Sequence, residues 1–524
     1  IKHDSSFPIH SIRWLLKNNN LKQEDIDYVT FYEDPNLKID RVKSYSKPFL
    51  FINQKLRNIK YFYNSIHHQI KDVTHSDVNI IYCNHHLSHL SYGYHTSPFK
   101  ESAIISIDGV GEWETTSYGV GNQNEIQKLQ SINYPHSLGL LYSTFTAFLG
   151  FRPNEGEYKV MGLAPYGNPE KYSKTFESIY QLTDDGGFEI NMDYFTYDWD
   201  DNSMFDEKLG KLFGLPNRLP EDEITQDHKD LAATLQHHYE IIFFHILQHL
   251  YKVTESENLC VVGGCAYNGT ANGKILEKTK FKNIWIPPAP SDAGSSIGSA
   301  LNFYYENTLS NRRIKNTNPF LGNTYTRNDI VSDLVTFNSI DFEYKSEKKL
   351  IKYISEQITE GKIVGWFDGA MEFGARALGN RSILANPRDS QMKDKVNSVV
   401  KKRESFRPFA PMVIFDEQHK YFDYELPVPY MNQVVKVKEQ YRKDLPAITH
   451  VDGSARIQSV DKTNKRIYKL LHQLKDDNDY PIVLNTSFNL KDQTMVRDPK
   501  TAIQTFLNCD MDILVLGNYV VHKI

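Results

Sequence analysis

The sequence predicts a mixed α/β protein with at least two domains, and three observations carry that prediction. Apolar strand-like runs break at small-residue turns and pass straight into helical patterns at LCVVGGCAYNGTANGKI (259–275) and IWIPPAPSDAGSSIGSALNFYYEN (284–307). The stretch AIISIDGVGEWETTSYGVG (103–121) reads as a β-hairpin with Asp108 at the tip of its first strand. After about residue 345 the pattern restarts with a helix, KKLIKYISEQITEG, and a strand, KIVGWFDG, and it closes with strands in YPIVLNTSFN and MDILVLGNYVV. A chain of 524 residues also exceeds what one hydrophobic core holds. The polar stretch 307–330, rich in Asn and Thr, marks the boundary. This gives a first domain over 1–325 and a second over 345–524.

Composition narrows the function classes. With 40% hydrophobic and 24% charged residues the chain reads as globular. A net charge of -5 argues against a broad nucleic-acid or membrane surface, so neither is expected as a partner and any grip on a polyanion must be local. Four cysteines, Cys83, Cys260, Cys265 and Cys509, are too few for a disulfide scaffold and lack zinc-ribbon spacing, which fits a reducing cytoplasm. No apolar run approaches the ~20 residues of a spanning helix. The chain opens IKHDSSFP without an initiator methionine. Homodimerisation is left open.

The stretch NHHLSHLSYGYH (84–95) follows the strand-like VNIIYC and has no proline, so a helix is expected. His85 and His89 then stand one turn apart, with Cβ atoms about 5–6 Å from each other, close enough to share an ion, while His86 points elsewhere. The bland alternative is a helix face that needs no ion. Asp292, at a strand-to-helix turn, can reach a ligand gathered at the strand ends and supply a third donor. Imidazole plus carboxylate suits Fe(II), Mn(II) or Zn(II). Gly263 and Gly264 mark a second such turn, where helix N-termini offer N–H groups to phosphate or ribose oxygens. Neither turn has Walker or Rossmann spacing, and Asp108 and Asp292 also fit ordinary turn or N-cap positions.

A second centre is basic. Within 371–411, Arg376, Arg381, Arg388, Lys401, Lys402, Arg403 and Arg407 crowd one stretch of an otherwise acidic protein. Such local excess suits a phosphate-bearing ligand, with Arg forks taking two oxygens at once and Lys acting as a point charge. Glycines flanking Arg376 and the proline-aromatic setting of Arg407 in SFRPFAP are unlike a solvated helix face. Arg456, Asn485 and Ser487 are further polar donors in HVDGSARIQSV and VLNTSFN. Residues 195–225 either shape an acceptor pocket or form a surface insertion.

These motifs, in order along nearly the whole chain, resemble the NodU/CmcH family of O-carbamoyltransferases, which has antibiotic-modifying members. The residues that carry the resemblance are KHDSSFP, NHHLSH, SIDGVGE, PHSLGLLYSTFTAFLGF, EYKVMGLAPYG, HKDLAATLQ, VVGGCAYN, PSDAGSSIGSA, EFGARALGNRSILANPR, KKRESFRPFAP, HVDGSARIQ and LNTSFN. The resemblance implies an actin-like ATPase-fold (ASKHA) N-terminal domain that transfers the carbamoyl group and a YrdC-like C-terminal domain that forms carbamoyl adenylate from ATP and carbamoyl phosphate. It also implies His85, His89 and Asp292 as metal ligands, with Fe(II) expected and Mg accompanying ATP. Asp108, Gly263 and Gly264 are implied at the nucleotide or carbamoyl adenylate, with Lys2 stabilising developing charge. Arg376, Lys401, Arg407, Arg456, Asn485 and Ser487 are implied at carbamoyl phosphate and ATP, so that the expected catalytic set is Lys2, Asp108, Lys401 and Arg407. The acceptor is expected to be a hydroxyl of a small metabolite, such as a sugar, antibiotic or toxin scaffold. The family's leading strand hairpin, with the acceptor base, has no counterpart among these residues. Two other readings stand beside this one: a tRNA threonylcarbamoyl transferase-like enzyme, and a non-catalytic nucleotide-switched binding protein.

Overall fold

A computed structural model describes residues 6–44, 49–74, 78–200, 202–308, 318–401 and 406–524; the side chains of 49–51, 399 and 401 are outside the description. It is mixed α/β. Lys2, Lys402, Arg403 and the Lys401 side chain lie outside it, as do residues 309–317 of the expected boundary stretch.

Five strands of the first half form a sheet in the spatial order Glu125–Asn133, Glu114–Asn122, Glu101–Ile107, Asn258–Val262, Asn283–Trp285. The first two join as an antiparallel meander onto Glu101–Ile107, which pairs in parallel with Asn258–Val262, and that in turn with Asn283–Trp285. Three parallel strands therefore end at one edge of the sheet, and the chain leaves them at Asp108, at Gly263–Gly264 and near Ser291–Asp292. Gly263 is required at its turn: its φ is +89° and an added Cβ would lie 2.2 Å from the carbonyl oxygen of Ile107. A separate parallel pair, Tyr28–Phe31 with Asn79–Tyr82, leads into the histidine helix His85–His95.

The histidine helix starts where Asn84 caps it, its side chain accepting from the Leu87 N–H at 2.9 Å. It packs against the helix Asp292–Asn307 at very short range, because a Cβ on Gly298 would sit 1.9 Å from the Ser88 carbonyl oxygen. This contact sets Asp292 beside the histidines.

The second half holds a nine-stranded mixed sheet running from Ile340–Tyr344 at one edge to Gln433–Lys436 at the other. Side chains alternate across it as the two-residue strand period demands. Val364, Trp366, Leu384, Met412 and Val483 pack under the helices Glu347–Thr359 and Lys465–Asn478, while Phe367, Ile383, Val413 and Leu484 face the opposite core.

The halves interlock. The strand Gln433–Lys436 lies on the short helix Gly269–Asn272, and a Cβ on Gly273 would fall 1.8 Å from the Val434 carbonyl oxygen. The Asn272 amide donates to the Asn432 carbonyl at 2.9 Å, and His450 meets the Gly162 carbonyl at 3.0 Å. Among the described residues of 195–225 none lines the cavity described below: Phe195 and Phe213 are buried in the first core, and Arg218 spends its guanidinium on backbone carbonyls, including that of Leu149 at 2.7 Å. Tyr197 and Phe205 pack against that core as well, while Trp199 is exposed. Among the described residues no helix is long and apolar enough to cross a membrane.

Candidate active site

The expected trio is brought together and a fourth donor joins it. His85 Nε2 and His89 Nε2 lie 3.1 Å apart. Asp108 Oδ2 is 3.0 Å from the first and 3.3 Å from the second, and Asp292 Oδ1 is 3.7 and 3.4 Å away. All four atoms fall within 4.8 Å of one another. A tetrahedral ion bound at roughly 2.0–2.1 Å sets its donors about 3.3–3.4 Å apart, so the cluster has the dimensions of one coordination shell. The donor chemistry fits as well: two ring nitrogens and two carboxylates converge, a set that could hold a divalent cation.

Electrostatics tie the histidines to the two carboxylates. Burial disfavours a charged His89, yet its bonds to Asp108 and Asp292 outweigh burial and carry its pKa up to about 9. Asp108 is penalised by burial too, but the two imidazoles hold its carboxyl well below the usual range. In the metal-free chain a proton on His89 thus does the neutralising. A metal must displace that proton, so affinity is expected to rise about tenfold per pH unit toward pH 9 and then level off. Titrating metal-free protein with Co(II) between pH 6.5 and 9.5 checks this; a flat profile would contradict it.

Ser295 orients the ring. Its Oγ lies 2.8 Å from His89 Nδ1, and an Nδ1–H donated there leaves the Nε2 lone pair facing the cluster. His86, one residue along, does point elsewhere. It is fully buried, its two ring nitrogens find no hydrogen-bond partner among the described residues, and burial keeps it neutral.

Next to the cluster opens a cavity of about 1090 Å³ between the halves. Asp108, Gly264, Asn268 and Asp292 line it on one side. Arg376, Arg407, Arg456, Asn485 and Ser487 line it on the other, so the two centres drawn from separate halves of the sequence share one space. Gly263 stays outside the lining, and its N–H is taken by the Pro290 carbonyl at 2.8 Å. Gly264 donates to Asp108 Oδ1 at 3.2 Å, tying that carboxylate to both the turn and the histidines.

The second wall is cationic and preformed. Arg376 rests its guanidinium 5.5 Å over the Tyr267 ring, and its buried Nε meets no acceptor among the described residues. Burial pulls its pKa below the ordinary arginine value. Arg407 donates to the Tyr158 hydroxyl at 2.9 Å and stacks over the same ring. Asn485 is buried, donating to the Ala377 carbonyl at 2.9 Å, while its Oδ1 lacks a donor among the described residues. Arg381 and Arg388 do not line the cavity. Arg381 is fully buried, bonded to the carbonyls of Asp368 and Asn323 at 2.8 and 3.2 Å, and stacks on Phe367. Sequence reasoning missed Tyr158 and Tyr267, which stand inside EYKVMGLAPYG and VVGGCAYN, and it read Ser295 only as a small residue after Asp292, because the contacts that give these side chains their roles are long-range.

Comparison with known proteins agrees in extent with this two-part site. The model described as Carbamoyltransferase N-terminus matches residues 1–301, and Carbamoyltransferase C-terminus matches 355–523. The uncharacterized protein sll1178 of Synechocystis sp. is 38% identical over all of this chain and 91% of its own. Nodulation protein NolNO of Sinorhizobium fredii is 35% identical over all of this chain and 75% of its own. Nodulation protein NolO of Bradyrhizobium diazoefficiens is 38% identical over 84% of this chain and 79% of its own. A crystal structure of T. kodakarensis HypF overlaps 46% of this chain and 39% of its own, at 14% identity and a TM-score of 0.25. With both family models covering their halves in order, and the residues of each half meeting in one cavity, the chain belongs to the carbamoyltransferase family and is an enzyme of that class.

Proposed function

We propose that this enzyme is an ATP-dependent O-carbamoyltransferase acting on a hydroxyl of a small metabolite. The observation that carries the reading is the shared cavity, with a metal-type donor cluster at one wall and phosphate-type cations at the other. Carbamoyl phosphate with water gives carbamate and phosphate. A carbamate oxygen then attacks the α-phosphorus of ATP and pyrophosphate leaves, yielding carbamoyl adenylate. Attack of the acceptor oxygen on the carbamoyl carbon expels AMP, and the hydroxyl proton passes to a base. Adenylation is needed because carbamate alone has no adequate leaving group.

Residues 345–524 form the YrdC-like half in this reading. Arg376 and Arg407 grip phosphate oxygens with planar forks, while Arg456, Asn485 and Ser487 orient the ligand. Lys401 adds a point charge. Residues 1–325 form the actin-like half, supported by its strand order, a three-stranded antiparallel meander extended by two parallel strands. His85, His89, Asp108 and Asp292 would hold a divalent ion, Fe(II) by family expectation, which when bound supplies positive charge beside the carbamoyl group. Gly264 keeps Asp108 in place, and Lys2 stabilises charge on phosphate or carbonyl oxygen. Mg accompanies ATP, and the cytoplasm is the proposed location.

Incubating the protein with ATP and carbamoyl phosphate is expected to release pyrophosphate, with neither substrate sufficient alone. Absence of release from folded, metal-loaded protein would overturn the reading.

A further inference from the structure

Glu112 is buried, with 1% of its surface exposed, in the turn between the strands Glu101–Ile107 and Glu114–Asn122. Its two oxygens are spent on N–H groups from separate parts of the chain. Oε1 accepts from the backbone N–H of Asp34 at 2.8 Å and of His85 at 2.9 Å. Oε2 accepts from the His85 N–H at 3.0 Å and from the Asn84 side-chain amide at 3.2 Å. The turn is held in turn by Arg41, which donates to the Gly111 carbonyl at 2.5 Å. Gly111 also lies against the ligand ring, since a Cβ there would be 2.7 Å from His85 Cδ2.

Glu112 is not one of the four converging donors. Its carboxylate instead sits at the start of the helix whose first residue is His85, where orphan N–H groups and the positive end of the dipole favour a negative charge. It ties that helix start to the segment after the strand Tyr28–Phe31 and to the hairpin whose first strand, Glu101–Ile107, leads into Asp108. The direction in which His85 leaves the backbone, and with it that of His89 one turn on, is set at this junction.

We infer that Glu112 is a positioning residue for the metal centre, fixing His85 and His89 against Asp108 through the helix N-terminus. The inference rests on the metal reading given above. A glutamine would keep the volume but lose the charge, and would turn an NH₂ toward donors that need an acceptor.

The test is Co(II) titration of the full chain, prepared metal-free, followed by visible absorption. Wild type is expected to bind one Co(II). Glu112→Gln is expected to bind 10–100-fold more weakly, roughly the scale of outer-shell losses, with an altered Co(II) spectrum. Glu112→Asp keeps the charge and should recover part of the affinity; it also decides the matter if the glutamine variant does not fold. Glu114→Gln, two residues along and bonded to Lys128 and Ser131, is the control for general loosening of the hairpin and should match wild type. Wild-type affinity and spectrum in Glu112→Gln, or in Glu112→Asp where only that variant folds, would overturn the inference while leaving the metal centre standing. A loss in Glu114→Gln equal to that in Glu112→Gln would overturn it as well. A wild-type chain that binds no Co(II) would overturn the metal centre and this inference with it.

Discussion

His89→Ala is expected to abolish carbamoyl transfer while leaving pyrophosphate release within a few-fold of wild type. His89 is fully buried and faces three other donors at 3.1–3.4 Å, so alanine removes one of four ligands and leaves a cavity in which a water would lack the ring's fixed position. Co(II) affinity should fall by about a hundredfold or more, on the order of 3 kcal/mol of lost binding. The metal-free variant should also melt earlier, because Asp108 loses a buried cationic neighbour, a change that costs about 3–5 kcal/mol when a buried pair is broken. The assay pairs pyrophosphate release with labelled carbamoyl incorporation into an acceptor. Equal loss of both steps would refute the division of labour between the two walls.

Arg376→Ala is expected to give the opposite pattern, with pyrophosphate release down about 10²–10³-fold, the usual scale for removing one preorganised donor from an electrostatic site. Co(II) affinity should stay at the wild-type value, since Arg376 touches Tyr267 and the cavity but none of the four donors. Arg376→Lys is not expected to rescue, because an ammonium cannot reproduce the planar fork or its stacking on Tyr267. Rescue by lysine would mean that charge alone matters at this position. A drop in Co(II) affinity equal to that of His89→Ala would mean the arginine acts on the metal centre.

The chemistry of this site was legible in the sequence wherever residue type and local spacing suffice. His85 and His89 are paired by helical periodicity, and Asp108 and Asp292 by their position at strand ends. Their meeting was less legible, since it depends on parallel pairing between 101–107 and 258–262 and on the close helix contact at Gly298, both long-range in sequence. Asp108, an ion candidate by its turn position and a nucleotide contact by the resemblance, is brought by the sheet edge into the four-atom cluster. Glu112 was invisible because its bonds come from the backbone N–H groups of Asp34 and His85 and one Asn84 amide, none of which a local pattern marks. The aromatic-rich 195–225 stretch has the composition of a binding loop, and the burial of its Phe195 and Phe213 in the first core follows from contacts that no local pattern encodes.

The fit of Gly273 under the Val434 carbonyl has an evolutionary corollary. Any side chain at 273 demands a compensating retreat of the strand Gln433–Lys436, so these two surfaces must change in concert. Chimeras that join the front portion of one relative to the rear portion of another should assemble where the front portion keeps glycine at this position, since the carbonyl it meets is backbone that every rear portion carries.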